Sequence, residues 1–493
     1  MGIRLSDSNL AASPLASIGY RLTLLYIVLL VARVPEITAL YLGTSFYQIL
    51  ILNIVLTALA LISGILVEVG VTQGGAIWLA FHLWILFTLP FSGYRRGSVE
   101  QLQNTLIFLP GLFFVAGFLT RNSDILRKGI WALASAGFIG LAFIQAYGVQ
   151  MDEDRLVAVG SFSNSNLLAI YLLIMIPVWC YIILDKRNAW FFRLLFSGAV
   201  LLALSLILKT GSRSGFMSIG VLAMLAFFTV NLANKAKMIV FGGIGIFLAM
   251  GAMSDALRSR LGTLFHSNPK DEVAAGAMGS SDERYKLLVD SIDATLKHPL
   301  VGSGFGVYSV VNATEKENKG EHATWQVTHN MYTQISSEIG LPGFILYMVG
   351  VASSIRALLR VRKIARTNPN ARELGAIASA ILCSWAMFLF NGFFTSMALD
   401  FMLYILTGFS IGIALVCEDL LRRQSESARI DKYSAPLRSP RFFPTAPGSM
   451  VPAMERSAGF MVPTSAAAAD KNADAPWRRN PRKHPPLPGT PAR

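Results

Sequence analysis

Three arginines lie where apolar runs of the chain end, and their side chains suit the binding of phosphate. Arg155 precedes the stretch GSFSNSN, Arg213 lies in the short connection TGSRSG, and Arg284 opens a helical stretch of a long polar segment. A guanidinium group forms paired hydrogen bonds with phosphate oxygens and keeps its charge in a low-dielectric site. Lys209 precedes Arg213 by about one helical turn, and their connection holds no acid, so the pattern predicts an anion site.

Each arginine also has a structural interpretation. Arg155 follows Asp154 and Arg284 follows Glu283, so both could form local ion pairs. Any of the three could also extend its charged head to a membrane surface while its stem stays in apolar surroundings. For a single arginine, both interpretations stay open.

His329, in the motif THNMYTQISSEIGLPG, is the candidate proton acceptor. An imidazole with a pKa near neutrality can take a proton from an attacking hydroxyl group, which is the work of a general base. The alternative is that a histidine before an asparagine serves a turn or a helix cap. His298 and His322 lie far from His329 in sequence and lack a helical pairing, so no metal site is predicted.

Two further motifs have structural and functional interpretations. Gly302, Gly304 and Gly306 lie in HPLVGSGFGVYS, which lacks the Gly-Lys-Ser ending of a phosphate loop. We therefore expect a tight, close-packed turn there. Asn164 and Asn166 begin an apolar run and could donate hydrogen bonds to sugar, but capping of a helix is the expected role of at least one of them.

The elements that position these residues are membrane-spanning helices. Hydrophobic residues make up 53% of the chain, charged residues only 15%, and the mean hydropathy is +0.51, whereas a soluble domain has about 25% charged residues. Runs of bilayer-crossing length recur along the chain. We predict an all-α polytopic membrane protein with about twelve spans, near residues 20–34, 46–67, 75–91, 103–119, 129–149, 166–184, 190–209, 214–232, 237–254, 341–360, 374–394 and 400–417. The first span is expected to be an anchor and not a cleaved signal peptide.

Lys and Arg residues of the short loops predict the orientation. Lys186, Arg187, Lys235, Arg356 and Arg360 are among those that fall on one side of the predicted spans, and this side is assigned to the cytoplasm. A long insertion, residues 255–338, then emerges on the opposite side, as do Arg155, Arg213 and Arg284. A loop of this length is usually functional. Its stretch from Asp282 to Leu296 has helical apolar spacing, whereas Pro269 to Ser281 is expected to be mobile.

The predicted organisation has three parts: N-terminal spans in 1–149, a core with the large loop in 150–417, and a disordered, basic, proline-rich cytoplasmic tail in 418–493. The net charge of +14 is attributed to cytoplasmic loops and tail, and no nucleic-acid-reading motif accompanies it. Cys180, Cys383 and Cys417 lie inside apolar runs and lack ligand spacing, so neither disulfides nor thiolate metal sites are expected.

The motifs together resemble the O-antigen ligase/polymerase family of bacterial membrane glycosyltransferases. The resemblance rests on the order of GSFSNSNLLAIYLLIMIP, TGSRSGF, HPLVGSGFGVYS and HNMYTQISSEIGLPG and on the long loop between them, and it covers roughly residues 150–410. It implies a GT-C-like helical fold with one large periplasmic loop, in the bacterial inner membrane. It also implies a metal-independent, inverting transfer of glycan from an undecaprenyl diphosphate carrier to an acceptor sugar hydroxyl, without a cofactor.

The resemblance also assigns roles to residues. Arg213 and Arg284 would hold the carrier diphosphate, Arg155 would join them, and His329 would act as the base or position the acceptor. Asn164, Asn166, Asn330 and Glu338 are candidate supporting residues, and Glu338 occupies a recurring family position without a defined role. The implied partners are the undecaprenyl diphosphate-linked donor, a glycan or lipid-linked acceptor, and membrane lipids.

Alternatives remain at this stage. A ligase and a polymerase of surface polysaccharide are not separated by these motifs. A polytopic transporter or flippase of lipid-linked or anionic substrates also has about twelve spans, but its charged sites usually lie inside spans. A scaffolding membrane protein would tolerate loss of the outer arginines.

Overall fold

The computed structural model describes residues 14–43, 47–120, 122–151, 154–229, 251, 253–264, 272–321, 323 and 325–434. The chain divides into two units after Tyr433, and the second unit, residues 434–493, lies almost entirely outside the described residues. The described part is mostly helical, and its strands form one antiparallel pair of two residues each. The all-α class that the sequence predicts is confirmed.

The helices fall into a first half, before the large loop, and a second half. The first half contains α1 Pro14–Val31, α2 Val34–Leu42, α3 Tyr47–Ile62, α4 Ile65–Gly70, α5 Gln73–Thr88, α6 Arg95–Leu106, α7 Leu109–Phe118, α8 Ser123–Tyr147, α9 Ser165–Leu184, α10 Trp190–Lys209 and α11 Arg213–Thr229. The second contains α12 Asp255–Gly262, α13 Glu272–Lys297, α14 Tyr308–Asn318, α15 Met331–Thr367, α16 Arg372–Gly392 and α17 Phe401–Ser434. Strands β1 Val149–Gln150 and β2 Leu156–Val157 pair antiparallel between α8 and α9.

Among the described residues, nine helices are long and apolar enough to cross a membrane. Two shorter apolar helices, Gln48–Ile62 and Arg213–Phe227, occupy the positions of the predicted second and eighth spans. The predicted span 237–254 lies almost wholly outside the described residues, so the count of twelve stays a prediction. Large apolar side chains such as Ile51, Leu83 and Leu201 are exposed, which suits helices that face lipid.

The core of the bundle forms around α9. This helix is apolar on all sides and packs against α8, α10 and α16, as expected for a span without a lipid-facing surface. Trp179 donates a hydrogen bond to Ala134 O at 2.9 Å and Ser384 donates to Ile174 O at 2.8 Å, and these bonds join α9 to α8 and α16. Buried polar groups are therefore satisfied between helices.

Helix α15 consists of two helices that meet at a kink. Gly340 has φ 75° and ψ 177° inside it, and Pro342 follows. Proline lacks the backbone donor that a continuous helix needs, and glycine adopts positive φ without steric cost. The first part of α15 therefore belongs to the large loop, and the apolar span begins at the kink, where residue 341 was predicted to start it.

Two boundaries predicted from the sequence are wrong. Helix α13 begins at Glu272, so residues 272–281 are helical, because Glu, Ala and Met in that stretch favour helix over its glycines. Helix α17 continues from the apolar run to Ser434, whereas the disordered tail was predicted from residue 418. Asp419 forms ion pairs with Arg422 at 2.5 Å and with Arg423 at 2.7 Å, and such pairs support a helix beyond the bilayer.

Candidate active site

Three arginines from separate helices form a positive cluster, which we call the arginine cluster: Arg213, Arg260 and Arg284. Arg213 begins α11, Arg260 lies on α12 and Arg284 lies on α13. The charged neighbours that act on Arg213 are Arg260 and Arg284, and neither is acidic. Like charges held together in a partly buried site repel one another, and a bound anion would relieve this repulsion.

The connection before α11 fixes the position of Arg213. Gly211 has φ 60°, and a Cβ there would lie 2.8 Å from Leu257 Cδ2 and 3.4 Å from Arg260 Cδ. Ser212 Oγ accepts a hydrogen bond from Gly215 N at 3.1 Å and so caps the helix. Arg213 Nη1 donates to Thr263 Oγ1 at 3.4 Å. The short turn thus presents Arg213 to the large loop.

Arg260 was missed in the sequence. It is 8% exposed, and its Nε donates to Gly211 O at 3.2 Å, so it links α12 to the connection that carries Arg213. Arg260 could have been recognised by the same criterion as Arg213 and Arg284, since it too is an arginine on the predicted outer side. Lys209, by contrast, is exposed and is not among the charged neighbours that act on Arg213.

Arg284 and His329 are electrostatic neighbours. Burial and then the charge of Arg260 lower the pKa of Arg284, with Glu283 acting in the opposite direction. Burial and then the charge of Arg284 lower the pKa of His329, again opposed by Glu283. Glu283 accepts a hydrogen bond from Gln326 Nε2 at 2.7 Å. His329 is consequently neutral at neutral pH and able to accept a proton.

The backbone around His329 is held in an unusual conformation. His329 has φ 51°, in the left-handed region that non-glycine residues rarely occupy. Asn330 caps α15 by accepting hydrogen bonds from Tyr332 N at 2.9 Å and Thr333 N at 3.1 Å, and its Nδ2 donates to Phe393 O at 3.2 Å. The cap belongs to Asn330, and the His329 side chain is left for other contacts.

Arg155 lies beside the connection to Arg213. Its Nε donates to Thr210 O at 3.2 Å, and its Nη2 donates to Ser165 Oγ. A cavity of about 400 Å³ is lined by Arg155 together with Asn164, Ser165 and Asn166. Asn164 caps α9, accepting from Asn166 N at 2.9 Å, as expected for one of the two asparagines.

A partly buried charged network that the sequence did not indicate supports the stretch before α9. Glu36 accepts hydrogen bonds from Ser161 N at 2.9 Å, Ser161 Oγ at 2.7 Å and Arg33 Nη1 at 2.7 Å. Arg33 also lies 3.9 Å from Asp400, and its guanidinium stacks 4.4 Å from the Phe401 ring centroid. These residues come from opposite ends of the chain, so spacing gave no indication of their contact.

Glu338 stabilises the turn that contains Gly302, Gly304 and Gly306, which we call the glycine turn. Its Oε2 accepts from Gly306 N at 2.9 Å and its backbone oxygen accepts from Gly304 N at 3.0 Å, while Ser303 N donates to Ser337 O at 2.7 Å. Gly302, Gly304 and Gly306 all have positive φ. The predicted tight turn is confirmed, and Glu338 fastens it to α15 just before the kink.

Substitution of Gly302 tests this fastening. A Cβ at Gly302 would lie 2.3 Å from the Glu338 carbonyl carbon, whereas Gly320, with a similar φ of 71°, has nothing within 4 Å. In both variants, alanine in the left-handed backbone conformation costs about 1–2 kcal/mol of folding free energy. We expect Gly302→Ala to lower the thermal unfolding temperature clearly more than Gly320→Ala. Equal losses would mean that the turn is not tightly packed.

No group of three or more His, Cys, Asp or Glu residues in the described part of the chain could hold a metal ion. Metal independence stays a prediction.

Comparison with known families agrees with the resemblance that the motifs indicate. Residues 198–348 match the family model described as O-antigen ligase, and this segment contains Arg213, Arg260, Arg284 and His329. The match covers only part of the chain, and it supports the resemblance to the O-antigen ligase family. Together with the long apolar helices, the match supports a multi-pass membrane protein of the O-antigen ligase type. No curated protein matches the chain. Arg155, Asn164 and Asn166 lie before the O-antigen ligase segment.

Proposed function

We propose that this protein transfers a glycan from an undecaprenyl diphosphate carrier to the hydroxyl group of an acceptor sugar, on the periplasmic face of the bacterial inner membrane. The observation that carries the proposal is the arginine cluster beside a neutral His329. A diphosphate leaving group needs fixed positive charge where its negative charge develops, and a hydroxyl nucleophile needs a proton acceptor within reach.

In the proposed reaction the acceptor oxygen attacks the anomeric carbon of the donor sugar, and the bond from that carbon to the diphosphate oxygen breaks. The bonding electrons leave with the diphosphate, and Arg213, Arg260 and Arg284 stabilise its added charge. The hydroxyl proton passes to His329. Attack opposite the leaving group inverts the anomeric configuration. The reaction proceeds without a metal, because the guanidinium groups supply the positive charge.

Arg155, with Asn164 and Asn166 around its cavity, extends the polar surface next to the arginine cluster and is proposed to contact the sugar or the diphosphate. Asn330 and Glu338 are proposed to act indirectly, since the first caps α15 behind His329 and the second fastens the glycine turn. The transporter alternative loses support, because the charges act at helix ends and in the large loop.

Surface-glycan profiling of a deletion strain tests the function. We expect the deletion to abolish long or attached glycan and a plasmid copy to restore it. Attached single units in the deletion strain identify a polymerase, whereas carrier-linked long chains without attachment identify a ligase. Transfer should persist when isolated membranes are treated with a chelator. A deletion strain with unchanged surface and carrier-linked glycans would contradict the proposal.

A further inference from the structure

A groove lies far from the arginine cluster, between α5, α15 and α17. Its volume is about 490 Å³. Helix α15 starts next to His329 and reaches the groove after its kink, and at about 1.5 Å per residue Arg356 lies roughly 35 Å along the helix from Met331. The groove therefore belongs to the other end of the bundle and has no part in the proposed transfer.

Part of the groove wall is apolar, and small residues leave space in it. Polar residues also line the groove, namely Thr72, Gln73, Ser353 and Ser354. Ile77 of α5, Val349 of α15, and Ile411 and Leu415 of α17 line it, and Ala357 and Ala414 leave room between them. Gly74 lets α5 approach α17 closely, since a Cβ there would lie 2.9 Å from Ile411 Cγ1. Such walls suit an acyl chain.

The mouth of the groove is basic. Arg356, Arg360 and Glu418 line the groove. Arg360 lies 4.0 Å from Glu418, with 77% and 64% of the two side chains exposed, and an exposed pair at this distance is weak. Within the described residues Arg356 forms no ion pair. The mouth thus has net positive charge beside an apolar wall.

We propose that this groove binds an anionic phospholipid, with the phosphate group at Arg356 and Arg360 and an acyl chain along the apolar walls. A free anion would not require the apolar walls, and a neutral lipid would not require two arginines. Basic pockets between membrane helices are known to select anionic head groups, with about 1 kcal/mol gained for each Lys or Arg. The groove combines both features in one place.

Lipid binding to the purified, delipidated full chain in uncharged detergent tests the proposal. Native mass spectrometry and thermal shift would be measured with phosphatidylglycerol and with phosphatidylcholine of the same acyl chains. We expect the wild type to prefer phosphatidylglycerol. The double variant Arg356→Gln/Arg360→Gln should bind it about 30-fold more weakly, and Glu418→Gln should bind it about fivefold more tightly.

The matched control is Arg362→Gln/Lys363→Gln, which removes the same charge from the same helix at residues that do not line the groove. It should bind like the wild type. Ala414→Phe fills the groove without changing charge and should abolish binding. Equal weakening in both double variants, equal binding of the two lipids, or an equal thermal shift with inorganic phosphate would each overturn the proposal.

Discussion

Replacement of Arg213 or Arg284 by alanine is expected to lower kcat/KM for glycan transfer by about 100-fold to 1000-fold, the usual loss when one preorganised stabiliser of transition-state charge is removed. Both belong to a cluster whose members repel one another. Thermal unfolding in detergent should therefore occur at the same temperature as in the wild type or higher. A loss of activity with a gain of stability is the result that distinguishes a binding role from a structural one.

Transfer from a lipid-linked donor would be measured with purified protein, and Arg258→Ala is the matched control. Arg258 also lies on α12, but its Nη1 pairs with Asp255 at 3.1 Å and its Nη2 donates to Gly251 O at 2.9 Å. Activity of this variant should stay within about threefold of the wild type, as expected for an exposed pair of low energy. Arg284→Lys should recover only part of the activity, because lysine keeps the charge but not the paired donors. Equal losses for Arg213→Ala and Arg258→Ala would remove the arginine cluster from the mechanism.

Replacement of His329 by alanine is expected to reduce kcat by about 100-fold to 10,000-fold, the contribution of a general base. His298→Ala is the control, because His298 lies 3.8 Å from Glu315. His298 is also not among the groups that act on His329. Membrane levels of both variants would be measured by immunoblot. Full activity of His329→Ala would exclude proton transfer at this residue.

The pH dependence gives a second readout of His329. The neutral imidazole is the active form, so kcat/KM should rise with pH through the pKa of His329 and stay level above it. Burial and Arg284 lower this pKa from 6.5, so the rise lies below pH 6.5. Glu283 raises the pKa, and Glu283→Gln should therefore move the rise to lower pH. A rise at unchanged pH in that variant would show that another group controls the rate.

Much of the architecture follows from local sequence. Within the described residues, nine of the predicted spans reappear as long apolar helices, and Gly340 with Pro342 marks the start of the tenth predicted span. Predicted helix ends were wrong where the apolar run ends but the helix continues. In α17, polar residues after Cys417 favour helix through ion pairs. Hydropathy reports contact with lipid, and it does not report where hydrogen bonding of a helix ends.

Only part of the candidate site was recognised. Arg213, Arg284 and His329 were singled out because each type of side chain is unusual in its surroundings. Arg260 was overlooked because α12 has an ordinary polar sequence, and Glu338 received a role only from its bond to Gly306. Arg33, Glu36 and Asp400 could not be linked to one another by spacing.

The sequence by itself indicated that the chain crosses a membrane, where most spans lie, and several candidates for a chemical role, because hydrophobic length and side-chain type are local properties. The tertiary structure decided which charges meet. Arg213, Arg260, Arg284 and His329 come from four elements spread along the chain, and only helix packing and the folded large loop bring their charges within reach of one another. Electrostatic repulsion and burial depend on those distances in space, so the lowered pKa of His329 has no counterpart in the sequence.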